Sequence, residues 1–288
     1  MKKTSKILAV VIVAALAVAA LVVFAACGGQ TLTGEAHYQV SYDGGVTKLD
    51  YGVKVDVTVK GDIITGVKLY SEEATGWTRT SADNADHGWT GHDATEAAYD
   101  KWINDNFVGA NVADVLAWSA SATAAGQHVY NGPIIEYAAG ETAQQSSARI
   151  IVAVQNALEK LDGLKKVTGE YSYESYGHTY GVKVDVFVKD GAIFSVRMYT
   201  DAETGWVRTT ASWEENKPTE GNLGFAKAEA AYEQYLKDTF RGKTVEEVNA
   251  YQASKEDWSI SEGAKLAGAT QSAVRIVLAV QNALSKLA

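Results

Sequence analysis

Val53, Val55, Val57 and Val59 alternate with polar residues, a period of two that predicts a half-buried β-strand. Lys60-Gly61-Asp62 then reads as a hairpin turn, and a second strand is predicted over 63–70. The pattern returns further on, with a turn at Lys189-Asp190-Gly191 and a strand over 192–199. Beyond each strand pair the period lengthens to that of a helix. Ala98, Trp102, Ile103 and Phe107 share one side of a predicted helix over 95–107, and 226–240 is its counterpart. Short amphipathic pieces follow near 112–116 and 245–248. Long helices are predicted last, over 146–161 and 271–287, the latter apolar at Ile276, Val277, Val280, Ala283, Leu284 and Leu287. Strands first and helices after predict an α+β class with an antiparallel sheet and packed helices.

The same elements recur because the chain holds an internal repeat. Tyr51 to Val57 reappears letter for letter as Tyr180 to Val186. Thr75-Gly76-Trp77-Thr78-Arg79-Thr80 returns as Thr204-Gly205-Trp206-Val207-Arg208-Thr209, and Glu96-Ala97-Ala98-Tyr99 as Glu229 to Tyr232. Ala148 to Leu158 matches Val274 to Leu284. The join falls near Asp162-Gly163, a natural turn. The expected organisation is copy 1 over 33–162 and copy 2 over 163–288.

The N-terminus is read apart from the fold. Lys2, Lys3 and Lys6 precede an uncharged run from Ile7 to Ala26, which ends in Ala25-Ala26-Cys27-Gly28-Gly29. Small residues before a cysteine are the pattern of a bacterial lipoprotein signal. The expectation is a signal peptide over 1–26, lipidation of Cys27 and a short tether over 27–32. The other reading is an uncleaved membrane span, since about 20 apolar residues can cross a bilayer. Either way the body lies outside, anchored at the extracytoplasmic face of the cell membrane. Cys27 is the only cysteine, so the body has neither a disulfide framework nor a thiolate metal site.

Removal of the three lysines leaves 23 basic against 35 acidic side chains, a formal charge of −12. Such a body repels nucleic acid and anionic membrane surfaces, so no nucleic-acid partner is expected. The five histidines are scattered without metal-ligand spacing, and no metal is expected. His87 and His92 fall in a polar loop, and the repeat-equivalent Asp56 and Asp185 fall on the polar faces of strands. No nucleophile elbow, Walker loop or dinucleotide fingerprint appears, and no catalytic residues are assigned.

The segment with chemical content runs from Leu266 to Arg275. A small, glycine-containing turn enters an amphipathic helix, where unpaired backbone N–H groups meet the positive end of the helix dipole. Gly268 and Ala269 leave room for a phosphate to approach, and Thr270 and Ser272 add hydroxyls. The alternative is an ordinary helix start capped by Thr270 or Ser272, with no ligand.

This combination of hairpin, Glu203-Thr204-Gly205-Trp206 element and Gly268-Ala269-Thr270 before a terminal Ala-Val-x-x-Ala-Leu helix resembles the FMN-binding domain family. The resemblance covers nearly all of both copies. It implies FMN joined to Thr270 through a phosphoester, installed by a flavin transferase, or FMN held non-covalently. It also implies that the Glu203–Trp206 loop lies against the flavin, where Trp206 and Arg208 offer an aromatic face and a cation. By the same resemblance the protein is an exported electron carrier rather than an enzyme with its own substrate, and a membrane quinol-linked partner is its donor. A flavin-dependent reductase is a third option, for which the sequence shows no substrate pocket. The alternative from another class is a lipoprotein binding or interaction module that kept the fold and lost the flavin.

The match has departures. The family often has an acid six places before the attachment threonine; here that place is Ala264, with Glu262 nearby. In copy 1 a gapless alignment puts Gln144 in the place of Thr270, whereas alignment on Ala139-Gly140-Glu141-Thr142 offers Thr142. Copy 1 is therefore expected to lack covalent flavin, or to bind flavin weakly.

Overall fold

The computed structural model describes residues 29–42, 47–79, 91–123, 126–175, 177–208 and 225–287. The N-terminal segment expected to be a lipoprotein signal, with Cys27, lies outside them, as do His87 and Trp89; of His92 the backbone alone is described. Copy 1 begins with β1 (Gln30–Tyr42), β2 (Thr47–Lys60) and β3 (Ile63–Leu69). A single turn α1 (Glu72–Thr75), α2 (His92–Asn106) and α3 (Val112–Ala117) follow. Two small hairpins, β4 (Ala120–Thr123) with β5 (Gly126–Val129) and β6 (Glu136–Ala138) with β7 (Glu141–Thr142), lead into α4 (Gln144–Leu158). Copy 2 repeats the plan with β8 (Lys165–Ser175), β9 (His178–Lys189), β10 (Ala192–Met198), α5 (Asp201–Thr204), α6 (Phe225–Phe240), α7 (Val245–Asn249) and α8 (Thr270–Leu284). The class is α+β, with antiparallel sheets and packed helices, as the periodicities predict.

Each main sheet has three strands, in the order β1-β2-β3 and β8-β9-β10. The predicted hairpin turns are present, with positive φ at Gly61 in the first and at Asp190 and Gly191 in the second. The outer strands β1 and β8 carry no clear alternation of valines, and the periodicity does not reveal them. They are fixed by partners: Gly34 pairs with Val55 and Gly169 with Val184. At both glycines the long helix crosses the sheet so closely that a Cβ would lie 2.1 Å from Ala153 O and 2.2 Å from Ala279 O, respectively. The repeated Thr-Gly-Glu is thus where helix and sheet backbones touch.

Alternation on β2 holds as predicted: Val53, Val55, Val57 and Val59 are buried against α4, while Lys54, Asp56 and Thr58 are half-buried on the other side. On β9 both faces are covered. Asp185 and Phe187 are fully buried, which corrects the reading of Asp185 as an acid on a polar face. The cover is copy 1. Phe187 belongs to the core of copy 1, Ser195 donates from Oγ to Ala113 O at 2.7 Å, and Ser119 donates from Oγ to Met198 O at 2.7 Å. Arg197 bonds Gln155 Oε1 at 3.0 Å, and Arg241 bonds Asp114 at 2.6 Å. The helix layer of copy 1 therefore packs on the outer face of the sheet of copy 2, giving the layer order sheet, helices, sheet, helices.

Candidate functional site

The start of α8 brings four of the candidate residues together. Gly268 has φ +75°, and the turn closes with Ala269 N–H donating to Leu266 O at 3.0 Å. Ala269 is the N-cap residue, and no side chain caps the helix. Neither Thr270 nor Ser272 takes that role. Thr270 is the first helical residue and is exposed; Ser272 is buried, and its Oγ lies 2.9 Å from the Tyr232 hydroxyl of α6. The N–H groups of the first turn are thus left to the dipole end of the helix without a side-chain acceptor.

Copy 1 reaches the same backbone arrangement with different chemistry. Its helix also starts after an uncapped alanine, Ala143, and Gln144 takes the place of Thr270. Gln144 Oε1 accepts from Val129 N at 3.1 Å. Thr142 lies on β7, outside the helix. The structure therefore follows the gapless alignment, and a hydroxyl is missing where copy 2 has Thr270.

The second candidate element is built by local chemistry. Thr200 caps the single turn α5, and Glu203 closes a capping box by accepting from Thr200 N at 2.8 Å. Thr204 Oγ1 donates to Thr200 O at 3.0 Å and accepts from Trp206 N at 3.1 Å, and Gly205 ends the turn at φ +70°. Trp206 lies over Gly181, where a Cβ would come within 2.8 Å of its ring. Gly181 pairs with Ser172, and strand alternation puts both on the face opposite α8. Trp206 and Thr270 therefore occupy opposite faces of the sheet. A chain of contacts runs between the two elements: the Arg208 guanidinium lies 6.0 Å from the Tyr232 ring centre, and the Tyr232 hydroxyl bonds Ser272.

The acid expected near Thr270 is not supplied by the substitutes. Ala264 is fully buried, with its carbonyl accepting from the Tyr235 hydroxyl at 2.7 Å. Glu262 is exposed and pairs with Lys265.

Residues that sequence reasoning passed over line the α8 face of the sheet. Tyr173 stacks on Tyr180 with 5.7 Å between centroids and meets Trp258 at 5.7 Å. Burial raises the Tyr171 phenol above its usual range, with the Arg275 charge opposing. Arg275 is 2 % exposed. The Tyr-x-Tyr spacing on β8 and the arginine repeated at 149 and 275 were the available signals. Among the described residues no group of three His, Cys, Asp or Glu side chains is placed to hold a metal.

Comparison with known families, curated proteins and solved structures gives no match to this chain.

Proposed function

We propose that the protein is a lipid-anchored, extracytoplasmic FMN-binding electron carrier that uses copy 2, with Thr270 as the attachment residue. The observation that carries this reading is the uncapped start of α8, where an exposed threonine hydroxyl stands beside unshared backbone N–H groups. A phosphate fits that setting, because the N–H groups and the helix dipole both favour an anion. Gly268, Ala269, Thr270 and Ser272 would hold the phosphate end. Bound FMN supplies one- or two-electron exchange, and the chain supplies position and electrostatics. Gln144, already engaged by Val129, suits copy 1 to a structural role. A flavin transferase and a membrane quinol-linked donor complete the proposal.

The test is the visible spectrum and intact mass of protein from its native host, beside Thr270→Ala. A flavin absorbance that survives denaturation, and one FMN-phosphoryl increment lost in the variant, are expected. Colourless, unmodified protein from a host with an active flavin transferase refutes the carrier.

A second reading, a non-flavin binding module, draws on one observation. A cleft of about 200 Å³ between the copies is lined by Ser119, Asn131, Arg208, Tyr232 and Glu233 among others. Burial raises the Glu233 carboxyl above its usual range there. A colourless protein that gains thermal stability with small polar metabolites would favour this reading.

A further inference from the structure

Arg275 lies on α8 five residues after Thr270 and is 98 % buried, and its Nη1 is fully buried with no hydrogen-bond partner. Its Nε donates to Gln271 O at 3.2 Å, which draws the guanidinium back onto the first turn of the helix. A buried charged donor without an acceptor is costly, and most such groups in folded proteins are paired.

The repeat provides an internal comparison. Arg149 holds the equivalent place on α4 and is also buried. Its Nη1 reaches the Tyr38 hydroxyl at 2.8 Å and Gln127 Oε1 at 3.5 Å, and its Nη2 lies 3.5 Å from Ser146 Oγ. There it is Nε that lacks a partner. In copy 2 the strand position of Tyr38 is held by Tyr173; both rings stack on the facing tyrosine, but Tyr173 also packs against Trp258 and makes no bond to the arginine. Ser272 bonds Tyr232 as its counterpart Ser146 bonds Tyr99, but unlike Ser146 it makes no bond to the arginine. Trp258 also has φ +55°, a backbone conformation that a bulky side chain rarely adopts. Copy 1 thus engages both Nη groups internally, and in copy 2 neither makes a hydrogen bond to protein, Nη1 being fully buried.

We infer that Arg275 is the buried counter-cation for a phosphate group held at the start of α8, and that copy 1 lacks this site because Tyr38 occupies the equivalent donor. The inference rests on the reading of that helix start as a phosphate site and adds the side chain that selects copy 2. An oxygen of the phosphate would take Nη1 while the first-turn N–H groups take the others, a charge-assisted arrangement stronger than the backbone donors alone.

The experiment titrates the full chain, free of flavin, with inorganic phosphate, following the arginine Nε–H signals by NMR and affinity by calorimetry. The Arg275 signal is expected to move, and Arg275→Gln should weaken phosphate binding about 10- to 100-fold. Arg149→Gln should leave it unchanged. An Arg275 signal that stays in place as phosphate is raised overturns the inference, even if Arg275→Gln does not fold. FMN and riboflavin then separate the two proposals. If FMN binds Arg275→Gln as tightly as wild type, this inference fails and the carrier survives. If phosphate binding depends on Arg275 but no flavin is bound or attached, the carrier fails and the anion site stands.

Discussion

Asp185 and Arg197 form an ion pair between adjacent strands in the seam where copy 1 covers the sheet of copy 2. Their repeat counterparts, Asp56 and Lys68, sit on the open face of the first sheet. There Asp56 is held by the Thr33 hydroxyl at 2.6 Å and the Tyr70 hydroxyl at 2.7 Å. One sequence motif has thus been given two environments. In the seam the aspartate accepts from Thr168 and Tyr199 as well as Arg197, so the buried charge is fully surrounded by donors.

Breaking that pair should be far more costly than altering its open counterpart. Arg197→Met leaves Asp185 buried without its cation and is expected to cost about 3–5 kcal/mol. Lys68→Met should stay within about 0.5 kcal/mol. Urea denaturation of both variants measures the difference, and equal effects would contradict the buried seam.

Phe187 is a residue of copy 2 fully buried in the core of copy 1. Replacing it with threonine, the residue at its counterpart Thr58, should cost about 3–5 kcal/mol through the cavity left in copy 1. The wild type is expected to unfold in one transition, which in the variant should split into two as the copies lose their shared packing. A variant that unfolds at the wild-type midpoint would mean that the copies do not pack through this face.

The two helix-crossing glycines give a third check. Gly34→Ala and Gly169→Ala place a methyl within 2.1–2.2 Å of helix backbone oxygens and should each cost about 3 kcal/mol or more. At Gly66 the nearest atom to an added Cβ is 4.0 Å away, so Gly66→Ala is expected to be neutral or to stabilise by about 0.4–1 kcal/mol. Thermal melting of the three variants should show this order.

Alkaline pH should act through buried phenols. Burial, with the Asp185 charge adding to it, pushes Tyr199 up to about 12, and burial raises Tyr99 and Tyr235 further. An unfolded tyrosine ionises near about 10. Below that pH both states keep the proton and the contribution is fully present. Between about pH 10 and 12 the unfolded chain has released protons that the folded protein retains, so stability falls as pH rises. Phenolate absorbance should show these tyrosines titrating later than a free tyrosine; titration of all three at about pH 10 would refute the assignment.

The inner elements of each copy were legible because their signals are local. Val53 to Val59 alternate, the Lys-Gly-Asp and Lys-Asp-Gly turns need positive φ, and the helices carry their own apolar stripe. The start of α8 was readable for the same reason, since Gly268, Ala269 and Thr270 define it by themselves. The outer strands β1 and β8 were not, because their role depends on a partner far along the chain. The separation of Trp206 from Thr270 was also hidden, since strand parity at Gly181 decides it.

The sequence by itself determined the α+β class, the repeat and the chemical difference between Thr270 and Gln144, all of which follow from residue types at short spacing. Tertiary structure alone decided how the copies stack, that Asp185 is buried while Asp56 is open, and that the Nη groups of Arg149 find partners where those of Arg275 do not. Those facts depend on what covers a face or reaches a side chain from distant segments. Identical letters, Val-Lys-Val-Asp-Val in both copies, therefore meet water on one side in the first sheet and protein on both sides in the second.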